Sequence, residues 1–123
     1  MKKIFLVFLS VILLTSCNTS TLSISEIEIV PDKVQKVIDD KYKLQKINVV
    51  DKHISYIVFH SNGKVTTDLE AQGDTLIVKL DVTNQQDKAI TQHVYKLTLD
   101  PDIDTIDIHI NGKSTTIDNL IGI

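Results

Sequence analysis

The chain has 123 residues, 42% hydrophobic and 24% charged, a size and balance that suit one globular domain with a core of its own. Its 13 basic residues are all lysine and face 16 carboxylates, a net charge of −3. That balance excludes the basic footprint of a nucleic-acid binder and denies any anion site the bidentate fork of arginine, although an AT-rich genome that avoids arginine codons accounts for the same bias. One cysteine excludes a disulfide framework.

The N-terminus carries the sharpest signal. Lys2 and Lys3 precede an apolar run from Ile4 to Leu14 broken only by Ser10. Such a run is too short to span a hydrocarbon core of about 30 Å as a helix, and it has the form of a secretory h-region. Leu14-Thr15-Ser16-Cys17 follows and resembles the lipobox of bacterial lipoproteins, with Ser16 in place of the commoner glycine. The resemblance covers residues 1–17. It implies recognition of Leu14, Thr15 and Ser16 by the lipoprotein signal peptidase, cleavage before Cys17 and acylation of that cysteine. Several acyl chains, at ~0.8 kcal/mol per buried methylene, give firm anchoring where one short chain does not. Asn18 stands where an aspartate would signal inner-membrane retention, so the resemblance favours the outer membrane, facing the periplasm, in a host that has one. Without Lys2 and Lys3, 11 lysines remain against 16 carboxylates, a balance of −5.

Residues 1–16 therefore read as a signal peptide, 17–21 as a lipidated polar tether, and 22–123 as a single small β-rich domain. Leu22 to Val30 is β-rich. Pro31 suits the first turn of a helix, and Val34, Val37, Ile38 and Tyr42 recur at helical spacing, which predicts one amphipathic helix over about 31–44. Stretches 46–60, 64–71, 74–83, 89–99, 103–110 and 113–118 are rich in Val, Ile, Thr and Tyr and read as strands. Between them lie Asn-Gly, Gln-Gly-Asp, Asn-Gln-Gln-Asp and Asp-Pro-Asp, which are turn sequences. Connections this short predict antiparallel neighbours. The expected class is α+β, mainly β: an antiparallel meander packed on the helix, or a small sandwich, of about 5–7 strands.

The sequence also repeats itself. His60-Ser-Asn-Gly-Lys-Val-Thr-Thr67 matches His109-Ile-Asn-Gly-Lys-Ser-Thr-Thr116, and the match extends back to Asp51 and Asp100. Asn-Gly between β-rich runs is the strongest short-range hairpin signal, because a type I′ turn needs positive φ at both central residues. Asn62-Gly63 and Asn111-Gly112 are thus the expected hairpin turns. The histidines keep unlike company: Tyr56 and Val58 share a face with His60, whereas Thr105, Asp107 and Thr116 share one with His109. The repeat therefore reads as structural rather than as a duplicated ligand site.

Candidate chemistry is sparse. His53, His60, His93 and His109 show no metal-ligand spacing. Asp100, Asp102 and Asp104 resemble the start of an EF-hand calcium loop, but Thr105 stands where glycine is needed and Asn111 where a closing glutamate belongs. No nucleophile elbow and no glycine-rich phosphate loop is present. The expectation is a membrane-anchored, non-catalytic envelope lipoprotein with no cofactor beyond the covalent lipid on Cys17 and no nucleic-acid partner, which binds or helps assemble another envelope protein. The alternative is an immunity protein or inhibitor directed at a toxin or hydrolase. A small-ligand carrier, with an apolar pocket, is the third class.

Overall fold

The computed structural model describes residues 22–83 and 89–123; the tether, the signal peptide and the Asn-Gln-Gln-Asp segment lie outside them. In chain order the elements are β1 Ser23–Glu26, α1 Asp32–Gln35, β2 Leu44–Val49, β3 Ile54–Ser61, β4 Lys64–Gln72, β5 Thr75–Thr83, β6 Thr91–Thr98, β7 Thr105–Ile110, β8 Lys113–Thr115 and β9 Asn119–Gly122. They form two sheets, a five-stranded one in the order β9-β2-β3-β6-β1 and a four-stranded one in the order β4-β5-β7-β8.

The alternation of β5 sets the interface between the sheets. Leu76, Val78, Leu80 and Val82 are buried, and with Ile108 they pack against Leu44, Ile57, Phe59, Tyr95 and Leu97 of the five-stranded sheet. Residues between them on β5, such as Lys79 and Asp81, take the opposite face. β3 reads differently, because Tyr56-Ile57-Val58-Phe59 is a continuous apolar run and all four are buried. Such a run marks a strand covered on both faces. Ile57 and Phe59 face the other sheet, whereas Tyr56 and Val58 join Ile47 and Val94 under a strap formed by Ile27, Val30, Val34, Val37 and Ile38.

The helix expected over about 31–44 is not borne out, and the segment forms a strap instead. Val34, Val37 and Ile38 do pack on the sheet, but the α-helix covers only Asp32–Gln35 and the chain leaves it through i→i−3 bonds from Val37 to Val34 and Ile38 to Gln35. Gln45, fully buried, supplies the reason. Its Nε2 donates to the Val37 carbonyl at 2.7 Å and to Asn119 Oδ1 at 3.1 Å, while its Oε1 accepts the Asp39 N–H at 3.1 Å. One side chain thus satisfies backbone groups that another helical turn would have used.

The antiparallel expectation also needs correction. β5 and β7 are parallel, and so are β2 and β9. Short loops force antiparallel neighbours only when both strands lie in the same sheet. Here β6 leaves for the other sheet between β5 and β7, so it serves as the long crossover that a parallel pair requires. The stretch expected as one strand over 46–60 is two, β2 and β3, joined through a tight turn in which the Lys52 N–H reaches the Val49 carbonyl. β9 brings the total among the described residues to nine strands rather than about 5–7.

The repeated octapeptide divides in the same way. Asn111 and Gly112 have φ of 52° and 82° and join β7 to β8 with Ile110 opposite Lys113, a two-residue hairpin with the positive φ pair of type I′. Asn62-Gly63 is not a hairpin turn. β3 is already paired with β2 on one edge and β6 on the other, so β4 has no edge to join and enters the opposite sheet. A second hairpin is built instead on Gly73, φ 65°, with Gln72 opposite Thr75.

Gln45→Met keeps the volume but strands the Val37 carbonyl and the Asp39 N–H. Denaturant unfolding should show a loss of roughly 2–3 kcal/mol; a loss below about 0.5 kcal/mol would mean the clamp contributes little.

Candidate functional site

The structure brings the two copies of the repeat together at one end of the sandwich. Phe59, His60, Ser61 and Asn62 from the first copy and Ile110 and Asn111 from the second line a cavity of about 430 Å³, with Asp40, Lys41, Lys43, Val82 and Ile90. Their roles there are architectural. The His60 Nδ1 lies 2.9 Å from the Tyr42 carbonyl, and its backbone N–H donates to the Lys43 carbonyl. Asn111 Oδ1 accepts the Val82 N–H at 2.8 Å, which ties the β7–β8 turn to β5. Val82 and Ile90 lie on either side of residues 84–88, which are outside the described residues.

A polar network covers the outer face of the four-stranded sheet. The Lys79 ammonium sits 2.6 Å from Glu70, a diagonal pair across β4 and β5, since Asp68 is directly opposite Lys79. This bond, with help from Gln72, holds the Glu70 carboxyl below its usual range and raises Lys79. On β7 and β8, Asp107 accepts a hydrogen bond from the Ser114 hydroxyl at 2.7 Å and meets His109 Nε2 at 2.9 Å. Ser114 and then His109 hold its carboxyl below the usual carboxylate range. In a nucleophilic relay, histidine stands between the hydroxyl and the carboxylate and takes the hydroxyl proton. Here the hydroxyl donates to the carboxylate itself, an arrangement that stabilises the anion rather than activating the oxygen.

The remaining histidines are separate from one another. His93 Nδ1 lies 3.0 Å from Glu26 Oε2, and its ring stacks on Tyr95 at 6.2 Å between centroids. The buried Tyr95 phenol, raised by burial and then by Glu26, has no hydrogen-bond partner among the described residues. Of the suspected calcium ligands, Asp100 accepts the Ile103 N–H through its carbonyl and the Asp102 N–H through its side chain, while the Asp104 N–H reaches the Asp74 carbonyl. The run is a turn. Among the described residues no three His, Cys, Asp or Glu side chains group as metal ligands.

Exposed sheet edges can accept a partner's strand, and the fold decides which strands those edges are. Four strands end the two sheets: β9 and β1, β4 and β8. β4 carries Lys64, Asp68 and Glu70, β8 begins at Lys113 and β1 ends at Glu26. Charged edges of this kind resist pairing with other chains. β9, Asn119-Leu120-Ile121-Gly122, carries no charge at all. Leu120 is 61% exposed and Val50 71%, and Val50 Cγ2 lies 3.3 Å from where a Gly122 Cβ would stand. The absence of charge in 119–122 was visible in the sequence. Four residues without alternation gave no strand signal.

The folded Asp107 value lies below the unfolded one. The stability it contributes is therefore present above the ordinary carboxylate range and lost as pH falls through the lowered value. Asp107→Asn should destabilise the domain near neutral pH, and the gap to wild type should narrow as pH falls from about 5 through the ordinary carboxylate value of about 4 and below. Melting temperatures across that range check it; a gap that does not depend on pH would refute the assignment.

Residues 1–18 match the family model for the prokaryotic membrane lipoprotein lipid attachment site. No curated protein and no solved structure matches the chain. The matched segment contains Leu14-Thr15-Ser16-Cys17 and lies outside the described residues. By that attachment site the chain is a bacterial lipoprotein, a cell-envelope protein anchored through lipid.

Proposed function

We propose that the domain is a non-catalytic recognition module that holds another envelope protein at the membrane by adding a strand of that partner to β9. The observation that carries this reading is the contrast among the four edges. Three bear charged residues, and the fourth carries none, exposes its own Leu120 and lies beside the exposed Val50. Strand addition gains affinity from backbone hydrogen bonds and specificity from alternate side chains. Leu120 and Val50 supply apolar contacts for the latter. In this reading the protein asks for no cofactor beyond the lipid on Cys17, and Asn18 directs it to the outer membrane in a host that has one.

A photo-crosslinking residue in place of Leu120, in the lipidated protein in its native membrane, should give one discrete protein adduct. The same residue in place of Asp68 on β4 should not, and Glu28→Gln, away from the edge, should leave the adduct intact. No adduct from position 120, or the same pattern from both positions, would sink the strand-addition reading.

The anchor has its own test. Cys17→Ala should abolish metabolic labelling with palmitate and leave the precursor uncleaved; normal processing of that variant would refute lipidation at Cys17.

A further inference from the structure

At the end of the sandwich opposite the repeat, the β2–β3 turn and the β6–β7 connection enclose a second cleft of about 430 Å³. We propose that this cleft binds an organic carboxylate with a short apolar body, Lys46 providing the countercharge. The cleft lies beside β9 and shares Val50 and Gly122 with that edge, but the proposal does not depend on the strand-addition reading.

Lys46 occupies an interior-facing position. It follows the buried Leu44 by two residues, on the same side of β2, and stands between Ile57 of β3 and Leu120 of β9 in the sheet. A lysine that faces a core is ordinarily paired. Lys79 and Lys41, both more exposed, have carboxylate partners. Among the described residues, Lys46 has no carboxylate within ion-pair distance. Burial lowers its pKa, as expected for an ammonium removed from water without a countercharge.

The neighbouring groups define the ligand. Asn48 lies two residues along the same face, and the Ser55 hydroxyl donates to its Oδ1 at 2.7 Å. That bond orients the Asn48 amide so that its NH₂ is the donor left over. Lys46 and Asn48 thus offer two donors to the two oxygens of a carboxylate. Lys52 and His53 stand at the mouth, and Asp104 is the single carboxylate among the lining residues, so the cleft is locally basic in an acidic protein. Ile103, Ile106 and Val50 are among the apolar residues of the wall. They offer nothing to the additional oxygens of a phosphate, but they suit a hydrocarbon body of a few carbons in a cavity near the small end of ligand sites.

Pentanoate is the probe, titrated into the lipidated protein in bilayer nanodiscs and followed by methyl NMR. The Ile103, Ile106 and Val50 methyls should shift saturably, while the Ile47 and Val58 methyls, under the strap, stay in place. Lys46→Met replaces an unpaired interior ammonium with an apolar chain of similar length, so the fold should be kept. Its affinity for pentanoate should fall at least about tenfold, the loss of one charge-assisted contact, whereas Lys46→Arg should retain binding within about threefold. 1-Pentanol and inorganic phosphate should leave the cleft methyls unshifted. The proposal is overturned if wild-type protein shows no saturable shift, if pentanol or phosphate binds as well as pentanoate, or if Lys46→Met binds undiminished.

Discussion

The position of β3 constrains everything around it. Its two edges are taken by β2 and β6, and its two faces are covered by the four-stranded sheet and by the strap. A strand in that position can offer no hydrogen bonds to the segment that follows it. β4 must therefore leave the sheet at Asn62-Gly63, and once it has left, β5 and its successors are divided between two layers. Both parallel pairs follow from that division.

Two polar ties then hold the periphery to this centre. Gln45 connects the strap, β2 and Asn119. Asp118 accepts the Leu44 N–H through its side chain at 3.0 Å and donates its own N–H to the Leu44 carbonyl. Such bonds contribute only about 1 kcal/mol net each when made, yet losing one partner of the buried Gln45 costs more. Their effect is to fix a single arrangement. They bring the C-terminal residues alongside β2, where β9 becomes an edge and Lys46 is left between that edge and the core. The surface proposed for a partner and the cleft proposed for a carboxylate are both consequences of where β9 comes to rest.

Much of the local structure was legible in the residues. The alternation of Leu76, Val78, Leu80 and Val82 placed one face of β5 in the core, and Asn111-Gly112 turned the chain as that dipeptide should. Val34, Val37 and Ile38 do share a buried face, but a face is not a helix length. The extent of α1 is decided by Gln45, a residue beyond the helix whose side chain competes for the same carbonyl. The turn at 50–53 was missed because Val50-Asp-Lys-His53 contains no glycine, proline or asparagine. The sites were less legible still. Lys46 was visible as a lysine in a β-rich stretch, but its significance depends on knowing which face of β2 is interior.

The sequence by itself determined that the chain is lipid-anchored, because a signal peptide and lipobox are recognised as linear peptides. It also determined the β-rich character of the domain, since strand alternation and turn residues act over a few positions. Only the tertiary structure decided which strands pair. Pairing depends on which edges are still unoccupied when a segment arrives, and no octapeptide carries that information. His-Ser-Asn-Gly-Lys and His-Ile-Asn-Gly-Lys are nearly the same peptide; one turns a hairpin and the other a corner, because β7 had a free edge and β3 did not.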